Sequence, residues 1–537
     1  MTPESEAERT ASDNKVEEEL STSWFLTSCL AMLSFAGPYV WNQCTSVFLH
    51  YDLGLIAVGS DLLVNGGLLY RDLHTVMFPG SYFLLALLFK IFGNYLMTTQ
   101  IAVTFQILLS GILLLLISRR FIHGWFVLLP AAVFYIIGPP LIPFYNHHWD
   151  AITFSLLFVL LITGQNLRPW TAFAAGISGG MAVLCFQLQA LVVAAGAIAR
   201  LYVDRFSSRS NSGMTRRHLA LWAGILSVIL VAAVYLLATG TIMPMLEATV
   251  IFPLQGRYGE VNSVPYGFLS LLDQTYRDLT PPLFALARVP ILLILVAPVL
   301  LIGVLAIYLL RNRSASLAKV DPSVLILFCT AMAMWLSELH RPDFKRLFWG
   351  EPLLLILLFY VAERLIDRYK LLKYPMIILS LVLFAGLLIN VHVFKTVYCP
   401  QHQKSYITRR GSLSSPDDME ILAVLQKLTR EGDTVFIYPY DTGINYLTGT
   451  KFPSRYPFIH YGYHTDAQIK ELLDDLEREK PDYAVFNLIM NNSHHREMGF
   501  PGYKEMPEEK KVIEKYLNDH YDPVKVYGWH KLLKRKH

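Results

Sequence analysis

The chain has 537 residues, 54% of them hydrophobic and 16% charged, with a mean hydropathy of +0.40. Soluble domains carry about 25% charge, so a chain this long and apolar has more apolar surface than one aqueous core hides, which excludes a soluble enzyme and a disordered protein. The net charge of +4 gives no basis for nucleic-acid binding, and the five cysteines (Cys29, Cys44, Cys185, Cys329, Cys399) form neither a CxxC pair nor a disulfide framework.

In chain order, residues 1–21 are polar and acidic and are expected to form a disordered cytoplasmic tail. The first apolar run, 22–43, lacks a basic leader and a cleavage site, so it reads as an uncleaved helix. Residues 44–97 form a long first loop. Within it, 79–93 is apolar but short and carries Lys90; it reads as an interfacial helix, with a spanning helix as the alternative. Further spans are expected near 98–118, 125–141, 150–165, 170–185, 187–203, 218–239, 289–310, 322–338, 350–366 and 374–395, lengths that suit a hydrocarbon core ~30 Å thick.

Charge sets the orientation. Connections bearing Arg119–Arg120, Arg168, Arg205 to Arg217, Arg311 to Lys319 and Arg364 to Lys373 alternate with 44–97, 142–149, 186, 240–288 and 339–349. Basic loops face the cytoplasm. This predicts about 11 crossings, a cytoplasmic N-terminus, and a first loop and C-terminus on the outer face of the membrane.

Residues 22–395 thus read as an α-helical polytopic membrane domain and 396–537 as a small soluble α/β domain outside. In the latter, Ser415-Pro416-Asp417-Asp418 resembles a helix start ahead of Ile421, Leu422, Leu425 and Leu428, with Gly432 as the stop. Segments 433–440 and 482–489 read as strands, and Thr465 with Gln468 forms a capping box ahead of Ile469, Leu472, Leu473 and Leu476. The domain carries no nucleophile–base pair, phosphate-binding glycine loop or metal spacing, and reads as a lid or an acceptor platform.

Candidate chemistry collects on the outer side. Asp52 stands at the mouth of the first helix, followed by Tyr70, Arg71, Asp72 and His74. A carboxylate at a membrane boundary is costly to desolvate and marks a functional position; the plain alternative is a helix-end aspartate in water. His147, His148 and Asp150 stand between two spans and offer divalent-metal ligands, substrate contacts or an interfacial anchor. Gln187 and Gln189 lie where two helices meet, suited to a sugar or to a helix–helix bond. His340, Arg341, Lys345 and Arg346 put positive charge on the outer side against the general trend, suiting a lipid phosphate head group or plain phospholipid contact. Arg257 and Tyr258 form a second such pair.

The pattern Asp52…Gly66-Gly67…Tyr70-Arg71-Asp72…Pro79…Phe92-Gly93, with the tail segment Tyr438-Pro439…Tyr446-Leu447-Thr448-Gly449…Arg455-Tyr456-Pro457, resembles the polytopic GT-C-type glycosyltransferases. These include the protein O-mannosyltransferases and the bacterial aminoarabinose and galacturonic acid transferases. Where many members carry an Asp-Glu pair this chain has Asp52-Leu53, and where they carry Lys-Pro-Pro or His-Pro-Pro it has Phe78-Pro79-Gly80, so no lysine role transfers there.

The resemblance implies a GT-C fold in a bacterial inner membrane. It also implies transfer of a sugar from a polyprenyl-phosphate donor to a lipid, glycan or protein acceptor, usually with inversion. Asp52 then matches the position of the base and Asp72 that of its support or substitute. Arg341, Lys345, Arg346 and Arg257 are the expected donor-phosphate ligands. Tyr70, Arg71, His74, His147, His148, Asp150, Gln187, Gln189, Tyr258 and His340 are the expected substrate contacts. A divalent metal is the one candidate cofactor. The rival readings are a lipid-linked glycan ligase or polymerase, and a secondary transporter or lipid flippase.

Overall fold

The computed structural model describes residues 3–45, 51–164, 167–206, 214–255, 279–311, 321–340, 344–398, 404–415, 417–461, 463–491 and 508–536. Arg257, Tyr258 and Arg341 lie outside these residues, and Lys345 is described only as part of its helix.

Up to residue 398 every long element is a helix. The first is α1 (Pro3–Thr45), which extends the first span back through the polar segment expected to lack structure. The first loop contributes α2 (Tyr51–Val64) and α3 (Gly80–Phe92). Then follow α4 (Leu96–Ser118), α5 (Leu129–Leu141), α6 (His147–Ile162), α7 (Pro169–Cys185), α8 (Ala190–Phe206) and α9 (Met214–Ala238). The remainder are α10 (Ile242–Leu254, with a π turn at its centre), α11 (Pro281–Arg311), α12 (Pro322–Glu338), the short α13 (Phe344–Gly350), α14 (Pro352–Arg368) and α15 (Lys373–Tyr398).

Each of the eleven expected spans coincides with one of these helices, but length and composition qualify fewer of them. Among the described residues five helices are long and apolar enough to cross a membrane, or up to six if the bent pair within α11 counts as one span. The others fall short for a physical reason: α6, at 16 residues, rises only about 24 Å at 1.5 Å per residue. The 13 residues of α3 rise about 20 Å, less than the ~30 Å core, so α3 alone cannot cross it.

The bundle packs closely where side chains are small. A Cβ added at Gly176 of α7 would lie 2.1 Å from the Leu221 carbonyl oxygen of α9, and one at Gly224 would lie 2.2 Å from the Phe173 carbonyl oxygen. Two glycines facing each other bring two apolar helices to backbone contact, where dispersion rather than water exclusion holds them.

After residue 403 the chain changes character. A hairpin, β1 (Lys404–Thr408) with β2 (Gly411–Ser415), precedes α16 (Glu420–Leu428). The expected helix start at Ser415 is corrected: Ser415 ends β2 and its hydroxyl accepts from the Asp417 amide, while α16 begins at Glu420, whose amide is met by Asp418. Next come β3 (Val435–Tyr438), α17 (Gly443–Thr448), α18 (Asp466–Glu479), β4 (Tyr483–Asn487), α19 (Val512–His520), β5 (Tyr521–Tyr527) and β6 (His530–Arg535).

The capping box forms: the Thr465 hydroxyl accepts from the Gln468 amide and the Gln468 side chain accepts from the Thr465 amide. The four-stranded sheet runs β3-β4-β6-β5, with β3 and β4 parallel and the other pairs antiparallel. Parallel neighbours need a crossover, supplied here by α18.

The small domain is docked on the first loop. Gly54 of α2 meets α17 so closely that an added Cβ would lie 2.5 Å from the Gly443 nitrogen. The His74 amide donates to the Arg455 carbonyl (2.6 Å) and the Leu96 amide to the Arg410 carbonyl (2.7 Å). Arg410 bridges Glu431 (2.9 Å) and Asp61 (3.7 Å), and Asp61 also accepts from Asn65 and Asn94. First loop and C-terminal domain are therefore packed against each other.

Candidate active site between the first loop and the helix bundle

Asp52 lies in the first turn of α2, where free backbone amides and the helix dipole favour a negative charge. Its Oδ2 accepts from Asn146 Nδ2 at 3.0 Å. Asn146 is the N-cap of α6, and its Oδ1 accepts from the His148 amide at 2.9 Å. Tyr82 of α3 and Tyr440, just beyond β3, stand within electrostatic reach of Asp52. Burial, and secondarily nearby carboxylates, raises the Tyr440 hydroxyl above its usual range; burial does the same at Tyr82. Both therefore face the carboxylate as neutral hydroxyls.

His147, the first residue of α6, brings the two halves together. It lies within electrostatic reach of Asp52 on one side and of His148, Arg346 and His340 on the other. Phe186 fills the space among the three histidines, 5.7 Å from His147, 4.5 Å from His148 and 5.7 Å from His340 between ring centroids. His340 Nδ1 lies 3.1 Å from the Ser337 carbonyl, and Arg346 comes from α13.

His148 serves the scaffold: its ring stacks on Trp349 at 3.8 Å, and Nδ1 lies 3.3 Å from Glu338 Oε1, both side chains being buried.

The other expected contacts are braces. Asp150 is buried, accepting from Tyr145 (2.8 Å) and from Gln106. Gln189 accepts from Ser155 (3.0 Å) and reaches Ser337 (3.5 Å), joining α6 to α12. Gln187 donates to the Val76 carbonyl at 3.3 Å and so ties the first loop to the bundle. Asp150 thus faces its own partners rather than a centre shared with His147 and His148, and among the described residues no three His, Cys, Asp or Glu side chains are grouped to hold a metal ion.

The motif Tyr70-Arg71-Asp72 closes its own turn. Tyr70 sits at φ +68°, and its buried hydroxyl donates to the Met77 carbonyl at 2.9 Å. Arg71 grips Asp72 through two bonds of 2.7 and 2.8 Å, and Asp72 also accepts from the Leu68 amide at 2.8 Å. The bond from Arg71 holds the Asp72 carboxyl below its usual range. Asp72, expected to orient the acceptor in support of Asp52 or to replace it as base, is thus bonded within its own loop.

His74 is buried at the docking face against Phe252, Tyr456 and His464, at 5.5, 5.4 and 6.1 Å between ring centroids. Burial, then the charge of Arg455, pushes its imidazole down to about 4.

Sequence reasoning missed Asn146, Tyr82, Tyr440 and Trp349. Asn146 had a local signal, a capping residue type directly before an apolar run. The others had none, because their roles come from segments distant in sequence.

No family model matches the chain, and no curated protein matches it. Solved structures do match. ArnT from Cupriavidus metallidurans bound to undecaprenyl phosphate aligns over 94% of this chain and 98% of that one, with TM-score 0.55 and 14% identity. Its apo form aligns over 96% and 98%, with TM-score 0.53 and 13% identity. The archaeal oligosaccharyltransferase AglB from Archaeoglobus fulgidus, in complex with an inhibitory peptide and a dolichol-phosphate, aligns over 96% of this chain and 74% of that one, with TM-score 0.52 and 11% identity. At these identities the likeness speaks for architecture: this chain has the fold of the GT-C membrane glycosyltransferases.

Proposed function

We propose that the protein is a multi-pass membrane glycosyltransferase that moves a sugar from a polyprenyl-phosphate donor to an acceptor on the outer face of the bacterial inner membrane, with inversion. The observation that carries this reading is the convergence on His147 of the first-loop carboxylate Asp52 and the side chains of His340 and Arg346. A carboxylate held by an amide donor, with an arginine beyond a histidine, is what transfer from a lipid phosphate asks for.

In this reading Asp52 takes the proton of the acceptor hydroxyl as that oxygen attacks the anomeric carbon. The bond from that carbon to the phosphate oxygen breaks, its electron pair stays with the phosphate, and polyprenyl phosphate leaves. Arg346, together with Lys345, Arg341 and Arg257, meets the growing charge. His147, His340 and Tyr258 contact the sugar or phosphate. About eleven helices cross the membrane, the shorter ones by the packing of their neighbours around them, α3 lies along it, and the N-terminus is cytoplasmic. The acceptor is a lipid, a glycan or a protein.

The test uses membranes lacking other transferases and a panel of radiolabelled polyprenyl-phosphate sugars. Wild type should release label from at least one carrier, and Asp52→Asn should lower that release by at least ~10², the scale of a positioned base. Folded wild type that discharges none of the carriers would overturn the reading and favour a ligase or a transporter.

A further inference from the structure

The geometry points to Asn146 as the positioning residue for Asp52, an inference that rests on the reading of Asp52 as the base. The side-chain amide of Asn146 has two ends, and both are committed. The His148 backbone N–H can only donate, so the end facing it, at 2.9 Å, is Oδ1. That leaves Nδ2 directed at Asp52 Oδ2, 3.0 Å away. The cap of α6 thereby fixes which end of the amide meets the carboxylate. Asn146 is fully buried, whereas Asp52 is half-buried, so the amide is held in place while the carboxylate stays open to a proton donor. A donor held in this way favours the ionised, proton-accepting form of Asp52 and restricts its rotation.

Among the described residues, the titratable and charged groups within electrostatic reach of Asp52 include His147 from α6, Tyr82 from α3 and Tyr440 from the segment after β3, with His148, His340 and Arg346 in turn within reach of His147. The Asn146 amide is a hydrogen-bond donor that the scaffold aims at Asp52 from a fixed helix end.

Two substitutions separate positioning from capping, because Ser and Asp cap a helix about as well as Asn does. Asn146→Ser keeps an acceptor for the His148 amide and removes the donor to Asp52. It should lower kcat for sugar transfer about 10- to 100-fold with KM changed less than about 3-fold. Asn146→Asp also keeps the cap, but it sets a second carboxylate beside the first. It should move the acid limb of the kcat/KM–pH profile upward by about one unit or more, since two carboxylates sharing a site do not both ionise readily.

A role in capping alone predicts wild-type kcat and an unmoved pH profile in both variants, and that result would overturn the inference. Asp52→Asn, measured alongside, tells the two failures apart. If it abolishes transfer while both Asn146 variants behave as wild type, the positioning role alone falls. If Asp52→Asn transfers normally, the base assignment falls and the inference with it.

Discussion

At the scale of single residues, Asp72 and Arg346 carry opposite expectations. Asp72 has three bonds within its own turn, so Asp72→Asn should leave the chemistry nearly intact and instead loosen the turn, read as a lower Tm with kcat within about 3-fold of wild type. Arg346 stands within electrostatic reach of His147, and in the proposed reaction its charge meets the departing phosphate. Arg346→Ala should lower kcat/KM for the lipid-linked donor by ~10²–10³, and Arg346→Lys should restore part of it, because a point charge replaces the charge but not the planar fork.

His74 makes a prediction about pH. Its folded imidazole titrates near 4 against an ordinary 6.5, so the unfolded chain binds the proton first as pH falls. The docking contribution of His74 is therefore complete above about pH 6.5 and is lost progressively toward pH 4. His464, whose ring lies 6.1 Å away and is also pushed down by burial, reinforces the trend. Thermal unfolding of the wild type between pH 7 and pH 4.5 should show falling stability, and His74→Phe, which cannot take the proton, should flatten that slope.

At the scale of elements, the decisive contact is α2 against α17. Gly54 allows the helix of the first loop to touch the Gly443 backbone, and any side chain there meets atoms at 2.5–2.9 Å, among them the Thr442 hydroxyl. Gly54→Ala should cost about 1–3 kcal/mol by overpacking and should free the C-terminal domain for proteolysis. Because Gly54 is two residues from Asp52 and Tyr440 three from Gly443, the same change should depress transfer. Ala at Gly66, where an added Cβ meets nothing within 4 Å but φ is +85°, provides a control strained in backbone only. The C-terminal domain was expected to be a lid or a platform; its backbone bonds to the first loop and the proximity of Tyr440 to Asp52 make it a wall of the site.

At the scale of the whole molecule, the docked domain ties topology to function. The first loop and the residues after 403 are hydrogen-bonded together and so share one membrane face; the proposed topology puts Arg119, Arg120 and Arg364 to Lys373 on the other. In a cysteine-free background, single cysteines at Asp72 and Glu431 should react with a membrane-impermeant thiol reagent from the outside of intact spheroplasts. One at Arg120 should react only after permeabilisation. Equal reactivity of all three in intact cells would refute the orientation.

The sequence by itself determined most of what depends on local chemistry. Eleven apolar segments became helices at the expected positions, because twenty apolar residues in a row leave the backbone no better way to satisfy its own hydrogen bonds in lipid. The capping box at Thr465 and the strands around 435–438 and 483–487 were also legible, since their signals are read within a few residues. The α16 start was misread because Ser415 and Asp418 support turns as readily as helix caps.

Only the tertiary structure decided which polar residues face one another. It gave Asp52, Asp72 and Asp150 different partners: Asn146, the Arg71 side chain with the Leu68 amide, and Tyr145 with Gln106. It also brought Asn146, Tyr440 and Arg346 to one place from three distant segments. Periodicity and caps are properties of neighbours in sequence; a site that closes between a loop, a bundle and a docked domain is a property of long-range packing, which no local pattern encodes.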